Sequence, residues 1–143
     1  MAAESPLVPN ARDEPLLAID PGFHKCGMAV VASDGTVLER AVVPAESVVK
    51  AAAEYVARFG CRRIVLGNRT TAGEVSRRLA AGGITAEVVL VEEHRSTEEA
   101  RRRYFREHPP HGWRRLIPRG LLTPPTPYDD YVAIILAERY LTR

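Results

Sequence analysis

The chain has 143 residues, of which 45% are hydrophobic and 27% charged, with a formal net charge of +2. This length predicts one globular domain with its own core and leaves too little chain for two. No stretch approaches the roughly 18 consecutive apolar residues that a membrane-spanning helix requires. Residues 1–14 lack the basic region and apolar core of a signal peptide. We therefore expect a cytoplasmic protein without membrane contact, in which a flexible tail over 1–14 precedes a single domain over 15–143.

The first half of the chain predicts a three-stranded antiparallel sheet followed by a helix. Residues 16–20 and 27–33 have the apolar density of buried strands, and the Asp-Gly pair that follows them is a typical hairpin turn. Residues 36–44 alternate in polarity and predict a third strand. Residues 45–59 carry apolar side chains at helical spacing, which predicts the first helix.

The second half alternates strands with helices. The pattern predicts strands over 62–68 and 86–93 and helices over 71–83 and 96–108. Ser96 and Glu99 have the spacing of a capping box at the start of the last of these helices. Residues 109–127 contain six prolines and two glycines, which predicts an irregular, proline-rich arm. A final helix is expected over 128–141.

This order of elements favours an α/β fold. Strands that alternate with helices are usually joined by right-handed crossovers and pair in parallel. The sequence therefore predicts a five-stranded mixed sheet, in which three antiparallel strands are extended by parallel additions, with helices on both faces.

Acidic residues stand where predicted elements end or begin. Asp20 ends the first strand, Glu92 and Glu93 end the fifth, and Asp129 and Asp130 begin the final helix. The carboxyl ends of parallel strands lie at one edge of a sheet, where ligand sites form. Carboxylates that meet there repel one another unless they share a proton or bind a cation, and oxygen ligands suit Mg²⁺ or Mn²⁺. One or two such ions could activate water against a phosphodiester.

Each acid also has an ordinary structural interpretation. Asp20 before Pro-Gly could be a turn former. Glu92 and Glu93 could stabilise the start of the following helix, and Asp129 could be the N-cap of the last one. Their common position at one edge of the predicted sheet favours a site over three unrelated roles.

The acidic segments carry a resemblance to a known family. LLAIDPGFHKCGMAVV (16–31) resembles the first hairpin of the YqgF/RuvX family of the ribonuclease H-like superfamily, in which a strand ending in Asp is followed by x-Gly, a basic turn and Gly. VVLVEEHRSTEEA (88–100) resembles the family's strand ending in Asp-Glu-Arg and the helix after it, with Glu92 and His94 in place of Asp and Arg. DDYVAIILAERYL (129–141) resembles its closing helix, and counting back from Tyr140 places the family's aspartate on Asp129.

The resemblance implies a ribonuclease H-like, divalent-metal-dependent nuclease with Asp20, Glu93 and Asp129 as catalytic residues and metal ligands. Glu92 and Asp130 are the alternates. Members of this family are linked to processing of the small-subunit ribosomal RNA precursor and were long described as candidate Holliday junction resolvases. The loop over 67–71 departs from the family and is more similar to a ribonuclease H-like module of transcription accessory proteins, whose acidic site is often incomplete.

Basic and polar residues near this edge are candidates for nucleic-acid binding. Lys25, Arg69, Thr70, Thr71 and His94 follow or precede the predicted strand ends, where side chains and backbone N–H groups can hold phosphate. The arm adds Trp113, Arg114, Arg115 and Arg119, a mixture suited to stacking on bases and neutralising phosphates. Alternatively, Trp113, Leu116 and Ile117 could pin the arm to the body or contact another subunit.

The leading hypothesis is an endonuclease that acts on structured RNA or branched DNA with one or two Mg²⁺ or Mn²⁺ ions, as a monomer or a homodimer. The principal alternative is an inactive nucleic-acid-binding or regulatory module on the same fold. A third reading, binding of a phosphorylated small molecule as in sugar kinases, is disfavoured because those proteins close two domains around the nucleotide.

Overall fold

The computed structural model describes residues 14–69, 71–118, 124 and 127–142. The strands are β1 (Leu16–Asp20), β2 (Lys25–Val31), β3 (Val37–Pro44), β4 (Arg63–Gly67) and β5 (Glu87–Val91). The α-helices are α1 (Val48–Phe59), α2 (Ala72–Ala81), α3 (Ser96–Glu107) and α4 (Asp129–Leu141), and short 3₁₀ helices cover Ala45–Ser47 and Gly112–Leu116. Every strand and α-helix predicted from the sequence is present, with ends that differ by a few residues.

The five strands form one mixed sheet in the order β3-β2-β1-β4-β5. The first three pair antiparallel, and β4 and β5 are added in parallel, which confirms the predicted fold class. The tight turn between β2 and β3 contains Gly35 at φ 91°, a left-handed conformation that favours glycine. β1 lies at the centre of the sheet, whereas β5 is an edge strand and β4 separates the two.

Successive residues of β1 face opposite sides of the sheet and contribute to two separate cores. Leu17 and Ile19 pack toward α1 and α2, whereas Leu16 and Ala18 pack toward α3 and α4. Because side chains alternate along a strand, Asp20 faces the side of α3 and α4. Asp20 therefore lies where β1 ends and α4 begins.

The helix α4 is buried on almost every side. We expected one core-facing stripe, but all residues from Asp130 to Ala137 are buried. The N-terminus of α4 lies directly on β2, since a Cβ placed on Gly27 would overlap the backbone carbonyl of Asp129 and lie 2.7 Å from the nitrogen of Asp130. Gly27 is the register partner of Asp20. The absence of a side chain at Gly27 thus brings the first residue of α4 next to the end of β1.

Two local predictions are wrong. The capping box is absent, because the turn before α3 places Arg95 at the N-cap with φ 59° and leaves Ser96 as the first helical residue. The Ser96 hydroxyl is buried and has no hydrogen-bond partner among the described residues. The arm is not wholly irregular, since Gly112–Leu116 forms a 3₁₀ helix, and its short turn suits a segment between prolines.

Among the described residues, no helix is long and apolar enough to cross a membrane. Cys26 and Cys61 are buried free thiols. The predicted tail falls almost entirely on residues 1–13, outside the described residues.

Candidate active site

Asp20 ends the central strand and is only 4% exposed. The chain turns immediately after it through Pro21 and Gly22. Gly22 fits closely under this turn, since a Cβ there would overlap the carbonyl oxygen of Lys25. The turn therefore returns the chain directly to β2.

Glu93 reaches Asp20 from the edge of the sheet. It follows β5, which does not adjoin β1, and its side chain crosses the end of the intervening strand β4 over Gly67. A Cβ on Gly67 would lie 2.6 Å from Oε1 and 2.7 Å from Cγ of Glu93, which is closer than nonbonded atoms pack. Only glycine at this position leaves room for the glutamate, and Glu93 is 6% exposed as a result.

The loop after β4 fixes the orientation of Glu93. Asn68 accepts the Glu93 backbone N–H through Oδ1 at 3.2 Å, and the Arg69 backbone N–H donates to Oε2 of Glu93 at 3.0 Å. The Arg69 guanidinium pairs with the same oxygen at 3.3 Å and also donates to Thr97 at 3.1 Å. These contacts hold Oε2 and direct Oε1 toward Asp20.

Arg139 holds the backbone on either side of Glu93. From the last turns of α4 it donates to the carbonyl of Glu92 at 2.7 Å, to the carbonyl of His94, and to the Glu99 carboxylate at 2.8 Å. Arg139 could not be identified from the sequence, because no local motif links an arginine of α4 to the turn that contains Glu93.

The buried carboxyl pair has an unusual protonation state. Burial, then the hydrogen bond and charge of Glu93, raise the pKa of Asp20 from 3.8 to about 9, while Arg69 lowers it and Asp129 raises it further. This shift of the pKa favours the neutral form of Asp20, with burial as its largest cause. Oδ1 of Asp20 and Oε1 of Glu93 are buried and accept no N–H or hydroxyl donor from any described residue.

The two aspartates of α4 point in different directions. Asp129 lies close enough to raise the pKa of Asp20, and its carboxylate pairs with Lys25 at 3.5 Å. Asp130 pairs with Arg40 on β3 at 3.4 Å and accepts the Tyr131 backbone N–H at 3.0 Å. Asp129 is thus the aspartate of α4 that faces the candidate site. Glu92, the other alternate, is exposed.

The side chains at this site provide some of the ligands that a hard divalent cation needs, but not a complete set. The unpartnered oxygens of Asp20 and Glu93 are carboxylate ligands of the kind that Mg²⁺ and Mn²⁺ prefer. In the part of the chain that the structure describes, no three His, Cys, Asp or Glu side chains are grouped closely enough to hold an ion. Asp129 would have to leave Lys25 to become a third ligand.

The predicted nucleic-acid-binding residues occupy several environments. Lys25 and Arg69 lie at the carboxylates, half exposed. His94 is exposed beside Glu93. The Thr71 hydroxyl is buried and has no partner among the described residues, and Thr71 makes no side-chain hydrogen bond to the start of α2. Thr70 lies outside the described residues.

The arm presents its aromatic and apolar residues outward. Trp113 is 73% exposed and Leu116 is 87% exposed, so the interpretation that these two pin the arm to the body is wrong. Ile117 alone of the three packs against the core. Arg115 is exposed, Arg114 is partly exposed, and Arg119 lies outside the described residues.

Comparison with family models and with curated proteins gives no match. The similar solved structures include two of RuvC from Thermus thermophilus. Thermus thermophilus RuvC has a TM-score of 0.52 and 17% identity over 86% of this chain and 90% of that chain. T. thermophilus RuvC in complex with a Holliday junction substrate has a TM-score of 0.56 and 18% identity over 87% of this chain and 90% of that chain.

These neighbours establish the class of fold. The mixed sheet with helices on both faces is a ribonuclease H-like fold, as the resemblance of the hairpin, fifth strand and closing helix implied. At this level of identity the likeness extends to the fold alone, and the chain's membership of the YqgF/RuvX family stays a prediction.

Proposed function

We propose that this chain is a divalent-metal-dependent endonuclease that cuts branched or otherwise structured nucleic acid. One observation carries the proposal: two carboxyl groups are buried face to face at the end of the central strand, and each has an oxygen without a donor among the described residues. A buried charge of this kind is costly unless it is paired. A cation that binds both carboxylates would remove the cost.

Each acidic residue has a role in the proposed mechanism. Asp20 and Glu93 would hold the metal, and Asp129 would complete the ligand set from the start of α4. Mg²⁺ or Mn²⁺ bound there supplies an activated water and stabilises the charge on the phosphate oxygens. Asn68, Arg69 and Arg139 keep Glu93 in place. Asp20 would lose its proton on metal binding, because a metal ligand must be deprotonated.

The basic surroundings favour a polyanionic substrate. Lys25 and Arg69 would contact phosphates at the site, where His94 and Thr71 are further candidates together with Thr70. The arm would add phosphate contacts from Arg114, Arg115 and Arg119 and base stacking from Trp113. The neighbouring RuvC is described in complex with a Holliday junction substrate, which makes a four-way DNA junction the first substrate to test. Ribosomal RNA precursor, suggested by the sequence resemblance, is the second.

One observation favours the alternative of an inactive binding module. Asp129 is paired with Lys25 and stands apart from the Asp20–Glu93 pair, so three ligands are not assembled in this state. The two functions differ in metal binding. A module that only binds nucleic acid has no need for Mn²⁺ at this site.

The test is cleavage of a four-way junction and of precursor RNA in Mn²⁺ by wild type, Asp20→Asn and Glu93→Gln, with Glu92→Gln as the matched control. We expect the first two variants to lose at least about 100-fold in rate, as on removal of a group that stabilises transition-state charge. Glu92→Gln should cut like the wild type. Equal activity of wild type and Asp20→Asn would refute the proposal, as would Mn²⁺ titrations without binding.

The same assay addresses subunit number and compartment only indirectly. Resolution of a four-way junction needs two cuts, so paired cuts within one binding event would favour a homodimer over a monomer. The cytoplasmic location stays a prediction.

A further inference from the structure

Two of the acids at the candidate site are each neutralised by a cation from the same chain. Lys25 pairs with Asp129 at 3.5 Å, and Arg69 pairs with Glu93 at 3.3 Å. Both cations come from the segments that follow the carboxyl ends of β1 and β4, the same edge of the sheet at which Asp20 lies. Lys25 and Arg69 therefore neutralise the negative charge that would attract a divalent cation to these carboxylates.

Both cations can separate from their carboxylates at little cost. Their side chains are about half exposed, at 50% for Lys25 and 48% for Arg69, whereas the Glu93 side chain is only 5% exposed. Exposed ion pairs are weak because water screens them and both side chains lose freedom. If Arg69 turned outward, Glu93 would keep the hydrogen bond from the Arg69 backbone N–H, so its position does not depend on the guanidinium.

The neighbouring pair Arg40–Asp130 is similar in separation, at 3.4 Å, and in the exposure of its cation, at 43%. Asp130 likewise accepts a backbone N–H, from Tyr131. It differs because the Arg40 guanidinium also lies over the Tyr131 ring, at 4.7 Å from its centroid. Release of Arg40 would break the ion pair and this cation–π contact together, so this pair is structural.

We propose that Lys25 and Arg69 are exchangeable counterions: a divalent metal displaces them from Asp129 and Glu93, and the freed side chains bind backbone phosphates of the substrate. This inference rests on the proposed function. The metal takes over the carboxylates at the same time as two cations become available to the nucleic acid. Metal and nucleic acid should consequently each tighten the binding of the other, and by the same factor, because coupling between two ligands is reciprocal.

The exchange also explains why three acids can be gathered near one sheet edge in the absence of metal. Like charges in a poorly solvated site raise the energy of the folded state. Lys25 and Arg69 neutralise two of these charges, on Asp129 and Glu93. The metal would replace these two counterions and would add a partner for Asp20.

The experiment measures Mn²⁺ affinity by isothermal titration, with and without a four-way DNA junction that is recovered intact at low temperature. Wild type is compared with Lys25→Met, Arg69→Met and the double variant, and Arg40→Met is the matched control. In the absence of DNA we expect Lys25→Met and Arg69→Met each to bind Mn²⁺ about 3- to 10-fold more tightly, because the competing cation is gone. Arg40→Met should bind Mn²⁺ like the wild type.

With the junction present, Mn²⁺ affinity of the wild type should rise by at least about 5-fold. The double variant should lose this rise and bind the junction more weakly, whereas Arg40→Met should keep it. Unchanged Mn²⁺ affinity in the single variants, or full coupling in the double variant, would overturn the exchange and leave the proposed nuclease intact. A wild-type protein that binds no Mn²⁺ would refute both.

Discussion

Two buried carboxyl environments lie on the same face of the sheet and differ in how they are satisfied. At the start of α4, Asp130 has Arg40 beside it, a backbone N–H as a donor, and an aromatic ring under the arginine. At the end of β1, Asp20 faces another carboxyl group, and both acids have an oxygen without a donor among the described residues. Burial raises the pKa of both aspartates, but Arg40 and backbone hydrogen bonds oppose the shift for Asp130.

This difference separates a structural carboxylate from one arranged for a ligand. The carboxylate of Asp130 has its partners within the chain. The environment of Asp20 disfavours an ionised carboxyl group in the metal-free protein, and a bound cation would relieve this. Function in this fold is therefore expected at the carboxyl group that is poorly satisfied.

The largest effect is expected from the glycine that lets Glu93 approach Asp20. Gly67→Ala places a methyl group 2.6 Å from the Glu93 carboxylate oxygen and should displace the glutamate by about 1 Å. Displacements of this size cost about 100-fold in rate. Cleavage assays and Mn²⁺ titration would measure the loss. Gly73→Ala is the control, since its new methyl group meets only Arg77 at 3.6 Å; if both variants behaved alike, the approach over Gly67 would be irrelevant.

Asparagine at the two aspartates should change stability by different amounts. In EDTA at pH 8, Asp20→Asn removes an ionisable group from a site that disfavours its charge. Its free energy of unfolding should rise by about 1–3 kcal/mol, since each pKa unit corresponds to about 1.4 kcal/mol and structural relaxation reduces the full effect. The free energy of unfolding of Asp130→Asn should change by less than about 1 kcal/mol, because Arg40 and backbone hydrogen bonds oppose the effect of burial on Asp130. Urea denaturation would measure both, and equal changes would remove the distinction between the two sites.

The pH dependence of stability should separate wild type from Asp20→Asn. Above pH 3.8 the unfolded chain releases the Asp20 proton, whereas the folded chain keeps it up to about pH 9. The folded state therefore holds the extra proton across this window, and the contribution of Asp20 to stability falls as pH rises. Urea titrations in EDTA between pH 4.5 and 8.5 should show the advantage of Asp20→Asn growing with pH. A constant difference would mean that Asp20 titrates normally.

The smallest effect is expected from Arg139 near the end of α4, which holds the turn that contains Glu93. Arg139→Gln removes hydrogen bonds to the carbonyls of Glu92 and His94 and should weaken Mn²⁺ binding by about 10-fold, as on loss of groups that orient metal ligands. Arg139→Lys should restore part of the affinity. Arg103→Gln, which removes a different ion pair to α4, should leave metal affinity unchanged. Equal losses in Arg139→Gln and Arg103→Gln would indicate a general effect of packing between α3 and α4.

The parts of the molecule that could be predicted from the sequence are those with a local signature. Apolar runs, alternating polarity and turn residues predicted β1, β2 and β3. The alternation of strand and helix patterns in the second half predicted the parallel strands β4 and β5. Strand and helix ends singled out Asp20, the pair Glu92 and Glu93, and the pair Asp129 and Asp130, and the family resemblance favoured Glu93 and Asp129. Their convergence was expected from parallel strand ends at one edge of the sheet. The strand β5 is an edge strand that does not adjoin β1, and Glu93 meets Asp20 because Gly67 has no side chain.

The remaining features depend on long-range packing. Nothing near Arg139 in the sequence relates it to the turn at Glu93, and the ion pairs of Lys25 and Arg40 with α4 exist only once the helix is in place. One signal in the sequence could have predicted that the Glu93 side chain crosses β4. Gly67 ends β4, and Glu93 follows the next strand, β5. The surface position of Trp113 had no such signal.

A crystal of the wild-type protein soaked in Mn²⁺ and measured at the manganese absorption edge tests the central claim most directly. We predict an anomalous peak within about 2.0–2.6 Å of Oδ1 of Asp20 and Oε1 of Glu93, the range of metal–oxygen bonds. Lys25 and Arg69 should then be turned away from Asp129 and Glu93. Saturating Mn²⁺ with no peak between Asp20 and Glu93, and with Lys25 and Arg69 still paired to Asp129 and Glu93, would contradict the account.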